Sequence, residues 1–364
     1  MITILNVCGA RPNFMKIAPL MRAYRAHPTI RPVLVHTGQH YDKNMSDLFF
    51  TQLQIPEPDV NLEVGSGSHA VQTAQIMQRF EPVVLEHRPQ WVLVVGDVNS
   101  TIACGLVAVK LGVKLAHVEA GLRSFDRDMP EEVNRVLTDA ISDLLFVSEP
   151  SGIENLRREG VSDGRVHFVG NVMIDTLRAS RDQAERSPVL EQLGLRKGEY
   201  NVVTLHRPSN VDDPVTLGRI ATAFEEIQKD LPIVFPMHPR TVANLEKLGL
   251  AGRFRAMAGL RIVEPLGYLD FMKLTANAAV VLTDSGGIQE ETTILGVYCL
   301  TIRENTERPV TITQGTNQLV GTDPERIIAA YRRCRATPLR SAPVPDKWDG
   351  KAAERIAAIL AAQG

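Results

Sequence analysis

Short apolar runs and longer amphipathic segments take turns along most of this chain. Ile2 to Val7, Pro32 to His36, Trp91 to Val95, Val113 to His117, Leu144 to Val147 and Val166 to Val169 are rich in β-branched and apolar residues, the pattern of strands buried on both faces. Between them, Phe14 to His27, His69 to His87, Thr101 to Leu111, Glu131 to Ile141 and Ser151 to Glu159 have helical length and helical periodicity. The alternation predicts a parallel sheet covered by helices on both faces. It pauses over Asp175 to Tyr200, a polar, helix-permissive stretch containing Pro188, Gly194 and Gly198. It then resumes with Asn201 to Leu205, Ile233 to Phe235, Arg261 to Val263, Ala279 to Leu282 and Tyr298 to Ile302. After Thr337 a loop-like segment, Pro338 to Pro345, precedes a last helix over Lys351 to Ala362.

Length turns this pattern into a domain count. At 364 residues the chain is too long for one ordinary core. The reading is α/β, with two doubly wound Rossmann-like domains over residues 1–170 and 171–350. In such sheets ligands bind beyond the carboxyl ends of the strands, and with two domains the expected site is the interdomain cleft.

Charge narrows what can bind there. The 40 basic and 42 acidic side chains leave a net charge of −2, so no global field draws the protein to nucleic acid or to an anionic membrane, and any bound anion needs a local site. The four cysteines, Cys8, Cys104, Cys299 and Cys334, are widely spaced and form no CxxC pair, which disfavours a disulfide framework or a structural zinc site. Met1 to Cys8 lacks the basic start and small-residue cleavage site of a signal peptide, and no apolar run approaches the ~20 residues of a membrane helix. A reducing cytoplasm is expected.

The most informative motif is Thr283-Asp284-Ser285-Gly286-Gly287-Ile288-Gln289-Glu290-Glu291, a strand end, a Ser-Gly-Gly turn and a helix start. Unobstructed amides at the glycines and the positive end of the following helix make this a phosphate-binding turn. Two carboxylates in the expected first helical turn would repel a bare diphosphate, so one of them is expected to reach a sugar hydroxyl, and the pattern points to a nucleotide sugar. The first strand ends in Gly9-Ala10-Arg11-Pro12-Asn13-Phe14-Met15-Lys16, which brings two cations to a sheet mouth but lacks the glycine spacing of a dinucleotide fingerprint or a P-loop. No cofactor and no metal are expected.

Carboxylates recur after strands of the first half: Asp97, Glu119 and Glu131. Each has a simple structural reading: Asp97 could cap the helix near Ser100, Glu119 could pair with Arg123, and Glu131 at a helix start is favoured by the dipole. Converging on one sheet edge, the three look like acid and base machinery. In the second half His206-Arg207 and His238 end two strands and could donate to phosphate or uracil, and Arg308 lies beyond a third.

Seven segments, GARPNFMKIAP, GDVNST, HVEAGLRS, MPEEVNR, TLHRPSN, DSGGIQEE and TERP, occur in an order and spacing that resembles the non-hydrolysing UDP-N-acetylglucosamine 2-epimerases over essentially the whole chain. The resemblance implies a GT-B architecture, with helix 351–364 packing back on the first domain and the second domain binding UDP. It implies reversible conversion of UDP-GlcNAc to UDP-ManNAc through elimination of UDP to 2-acetamidoglucal, and a homodimer acting on a UDP-sugar. Asp97, Glu119 and Glu131 resemble the family's acid/base carboxylates and His206 its catalytic histidine. Arg11, Lys16, Arg135, Arg207, His238, Phe271, Ser285, Gly286, Gly287, Glu291 and Arg308 resemble its substrate contacts, with Glu291 on the ribose. The sequence departs from many members at Asn13, where they have Glu, at Pro208 and at Val310. Its GARPNF and TGQHYD versions are also similar to relatives that act on UDP-2,3-diacetamido-2,3-dideoxy uronic acid sugars. A GT-B glycosyltransferase and a non-catalytic nucleotide-sugar sensor share the fold. The first would need an acceptor, and the second would tolerate loss of the carboxylates.

Overall fold

Seven parallel strands build the first sheet: β1 Ile2–Cys8, β2 Ile30–His36, β3 Val60–Asn61, β4 Trp91–Val95, β5 Lys114–Ala120, β6 Leu144–Val147 and β7 Val166–Phe168, in the order β3-β2-β1-β4-β5-β6-β7. The computed structural model describes residues 1–38, 50–237, 239–337, 339 and 344–363. Helices α1 Arg11–Ala23, α2 His69–His87, α3 Asn99–Lys110, α4 Pro130–Ile141, α5 Pro150–Arg158 and α6 Val172–Glu185 connect or follow these strands. Apolar side chains on both faces of the strands form the core, with Leu5, Val7, Val35, Val92 and Val94 packed against Ile76 and Phe80 of α2 and Ala103 and Cys104 of α3. The start of α2 is fixed by Ser68, whose hydroxyl accepts the Val71 amide.

The second sheet has six parallel strands, β8 Asn201–Thr204, β9 Ile233–Pro236, β10 Leu260–Val263, β11 Val280–Thr283, β12 Tyr298–Thr301 and β13 Asn317–Leu319, in the order β10-β9-β8-β11-β12-β13. The helices that matter below are α7 Pro208–Val211, α8 Pro214–Ile227, α9 Tyr268–Ala276, α10 Gly286–Leu295 and α11 Pro324–Ala336. Phe224 of α8 and Ile327 of α11 pack with Val203, Phe235, Leu282 and Leu300 of the strands. Asp213 and Asp323 cap α8 and α11 through their carboxylates.

Contacts divide the chain into two compact units, Met1–Ala179 together with Asp346–Gly364, and Ser180–Pro345. The last helix, α12 Ala352–Ala361, packs on α1. Its N-terminal amides at Ala352 and Ala353 donate to the Asp175 carboxylate, and buried Trp348 donates its indole N–H to the Ser148 carbonyl at 2.9 Å.

Both sheets reverse strand order once, between β1 and β4 in the first and between β8 and β11 in the second. At such a reversal the two connections leave toward opposite faces, and the carboxyl ends of the strands are left open for a ligand. Among the described residues, no helix is long and apolar enough to cross a membrane.

Candidate active site

The motifs singled out above gather at these two reversals. In the first sheet, Asn13 at the start of α1 accepts the amides of Gly9 and Ala10 at 3.1 Å each and donates its own amide to the Val95 carbonyl at 3.1 Å. One side chain thus joins the ends of β1 and β4. One turn along, Lys16 is buried and ion-paired with Glu119. Glu119 sits in the last turnings of β5, where the register shifts in a β-bulge between Val118 and Ala120, and its φ of 75° is left-handed. A non-glycine residue held there costs about 1–3 kcal/mol and persists only where its surroundings impose it, a recurrent mark of functional sites.

Asp97, just past β4 and partly exposed, accepts from Arg135 of α4 at 2.5 Å. The same guanidinium reaches Glu132 at 2.6 Å, and Glu132 in turn accepts the Ser124 amide and hydroxyl and the Phe125 amide. Glu131, in the first turn of α4 where the dipole favours an acid, is half-buried and takes part in none of these bonds. The two other simple readings do not hold. Val98 is the N-cap of α3, so Asp97 does not cap it; Arg123 pairs with Asp139 and Glu159, while Glu119 pairs with Lys16.

Behind Glu119 lies a network that the sequence did not reveal. His117, fully buried in β5, has Nδ1 2.6 Å from an Asp139 oxygen and Nε2 2.8 Å from the Gly96 carbonyl. The other Asp139 oxygen accepts the Gly121 amide at 2.9 Å and lies 2.7 Å from Arg123. Burial works to raise the Asp139 pKa, but His117 and Arg123 outweigh it and hold the carboxyl below its usual range.

In the second sheet, His206 follows β8 with its side chain 60% exposed and Nδ1 2.8 Å from Asp284, the fully buried residue just after β11. Asp284 also accepts the His206, Arg207 and Asn210 N–H groups at 3.1, 2.9 and 3.1 Å. Burial would raise its pKa; these donors, His206 foremost, bring it below the ordinary value instead. With Nδ1–H given to Asp284, Nε2 of His206 is the nitrogen left for chemistry. Arg207 bonds the Asp284 carbonyl through Nε at 3.0 Å and approaches Glu307 at 3.6 Å.

Ser285 is the N-cap of α10 and Gly286 its first residue, so the amides at Gly286 and Gly287 are those an anion would meet. Arg308, bonded to Glu290 at 2.7 Å and Glu307 at 2.6 Å, covers this turn: a Cβ on Gly286 would lie 2.5 Å from its guanidinium. Glu290 and Glu291 fall in the second turn of α10, one turn further in than expected, and both are buried. Burial, with Glu290 adding to it, pushes the Glu291 carboxyl up to about 8, and the Tyr268 hydroxyl of α9 opposes them. Glu291 therefore carries a proton at neutral pH. Phe271, one turn after Tyr268, packs in the apolar cluster of Tyr200, Leu274 and Ile288. Arg11 opens α1, and His238 lies outside the described residues.

The first sheet thus offers three carboxylates and a buried lysine, and the second an anion-binding turn with His206, Arg207 and Arg308 beside it. Asp284, Glu132 and Asp139 escaped the sequence reading because only burial distinguishes them from solvated acids, and His117 because it closes an apolar strand run. Asp284, standing immediately before Ser-Gly-Gly at a strand end, carried the one usable signal. Among the described residues no group of three or more His, Cys, Asp or Glu is arranged to hold a metal ion.

A family profile described as UDP-N-acetylglucosamine 2-epimerase matches residues 22–361. The chain is 44% identical over 327 residues to the UDP-N-acetylglucosamine 2-epimerase of Methanococcus maripaludis, covering 88% of each. It is 42% identical over 333 residues to the UDP-2,3-diacetamido-2,3-dideoxy-D-glucuronate 2-epimerase of Pseudomonas aeruginosa, covering 90% of this chain and 91% of the relative. The crystal structure of Methanocaldococcus jannaschii UDP-GlcNAc 2-epimerase in complex with UDP-GlcNAc and UDP is similar with a TM-score of 0.93 at 41% identity, covering 100% of both chains.

Proposed function

The chain belongs to the UDP-N-acetylglucosamine 2-epimerase family, and on that footing we propose that it interconverts UDP-GlcNAc and UDP-ManNAc by eliminating and re-adding UDP. The C2 hydrogen adjoins no carbonyl carbon of the ring and is too weakly acidic for direct removal. Breaking the C1–O bond first, with its electrons leaving on UDP, builds oxocarbenium character at C1 and acidifies C2–H. A carboxylate then takes the proton, giving 2-acetamidoglucal. Protonation of C2 on the opposite face and return of UDP to C1 complete the epimer.

The observation that carries this reading is Glu119, a buried carboxylate at left-handed backbone, paired with Lys16 at the reversal of the first sheet. Glu119, Asp97 and Glu131 serve as acid and base on the sugar, with Lys16 paired to Glu119 and Arg135 to Asp97. The turn Ser285-Gly286-Gly287, with Arg11, Arg207, His238 and Arg308, holds the diphosphate, both bonded and departed. His206, oriented by Asp284, stabilises the leaving oxygen, and Glu291 takes the ribose with Phe271 behind it. No cofactor takes part. The same reading has the enzyme acting as a cytoplasmic homodimer that supplies precursors for cell-surface polysaccharide.

Proton NMR in D2O tests it: UDP-GlcNAc is expected to take up deuterium at C2 with traces of free UDP and glycal, and product formed without that exchange would sink the mechanism. Asp97→Asn, Glu119→Gln and Glu131→Gln should each lower kcat by about 10²–10⁴. Because the Pseudomonas relative is 42% identical, against 44% for the Methanococcus epimerase, the 2,3-diacetamido uronate analogue belongs in the same tube. Preferred exchange of that analogue would reassign the sugar while keeping the C2 chemistry.

A further inference from the structure

We propose that His117 and Asp139 are a positioning pair that fixes the separation of Asp97 and Glu119, and this rests on the reading of those carboxylates as acid and base. Glu119 stands two residues from His117 on one side and two from Gly121 on the other, and both neighbours are tied to the single carboxylate of Asp139, at 2.6 and 2.9 Å. The bulge that throws Glu119 into left-handed backbone is therefore clamped at both ends by one side chain. The other ring nitrogen of His117 reaches across to the Gly96 carbonyl at 2.8 Å, the peptide group that leads into Asp97. Both ring nitrogens lie within hydrogen-bond distance of a partner, one on Asp139 and one on Gly96, so the ring acts as a spacer of fixed length between the ends of β4 and β5. Asp139 belongs to α4, whose Glu131 lies at its other end and whose Arg135 holds Asp97. One rigid helix thereby references all three carboxylates.

A plain packing role does not call for this arrangement. Taking His117, Asp139 and Arg123 out of water is costly, and apolar side chains of similar volume would hold β5 on α4 at least as firmly. What apolar contacts cannot do is fix two particular peptide groups relative to each other. Acid and base groups must be held within fractions of an ångström of the reacting atoms, and a shift of about 1 Å can cost about 100-fold.

The test is a set of variants read for kcat, KM, UDP affinity by calorimetry, and free 2-acetamidoglucal. Asp139→Ala is expected to lower kcat by about 100-fold with KM and UDP affinity within about threefold of the parent, and to raise the share of free glycal. Asp139→Asn should recover most of kcat, since its amide oxygen still accepts Gly121 and Arg123 and its NH2 can meet His117 with the ring proton kept toward Gly96. If Asp139→Ala does not fold, His117→Leu, which leaves Asp139 with Gly121 and Arg123, takes its place with the same expected values. A folded variant with kcat within about threefold of the parent, or UDP affinity falling in step with kcat, overturns the proposal. Asp97→Asn and Glu119→Gln are measured alongside. If both keep parental kcat, the assignment of the chemistry falls and this inference with it; if both lose activity and Asp139→Ala does not, this inference alone falls.

Discussion

Asn13 illustrates how much of the site is decided by single polar atoms. Its oxygen serves two amides and its nitrogen one carbonyl, so a glutamate in its place could keep the first role but has no N–H for Val95. Glu291 makes a sharper case. Its carboxyl loses its proton near pH 4.5 in the unfolded chain but only at about 8 in the fold, so between those values the native state holds the proton and the unfolded state does not. Stability therefore falls as pH rises through that window, and the penalty is complete above it. Glu291→Gln, which removes the titration, should gain in melting temperature relative to the parent from pH 5 to pH 8; a difference that stays flat in thermal melts would refute the assignment. Asp97, Glu119, Ser285 and Glu291 could be singled out from the sequence because each stands at a strand end or beside a glycine turn. Asp139, in the last turn of a helix, could not. Nothing in a helical pattern separates a solvated acid from one turned inward onto a histidine.

At the level of elements, most strands and helices of both sheets could be read from periodicity, since runs buried on both faces leave a long apolar signature. β3 and β13 could not, being two and three residues of partly polar sequence. Nor could the bulge in β5, because His-Val-Glu-Ala continues the alternation while the backbone breaks it. Gly121 shows what the bulge demands of its surroundings. It has a φ of 80°, and a Cβ there would meet the Gly152 carbonyl oxygen of α5 at 2.4 Å. Gly121→Ala should cost at least about 1–3 kcal/mol in urea unfolding from its backbone conformation alone, with further loss from the contact. Full stability of that variant would mean that the end of β5 yields more readily than its hydrogen bonds imply.

On the scale of the whole molecule, the units divide between Ala179 and Ser180, inside the pause over Asp175 to Tyr200 and not at the expected residue 170, and the return of the last helix to the first unit, which the resemblance implied, leaves no trace in the periodicity. That return depends on Trp348, Ile356 and Leu360, all buried, and on Asp175 capping α12, contacts between positions far apart in sequence. Truncation before Asp346 removes them, and burial of Trp348 alone is worth about 3–5 kcal/mol. The shortened chain should lose the calorimetric transition of the first unit and keep that of the second; two intact transitions would show the tail to be dispensable. Because residues of the second unit lie between the body of the first and its closing helix, the order of synthesis and the order of completion are opposed. On the ribosome, at about 5–20 residues per second, α1 emerges early and waits for its partner while the entire second sheet is made. The unit translated first is thus the last to finish folding, and for those seconds its uncovered α1 surface is what a chaperone or a protease would meet.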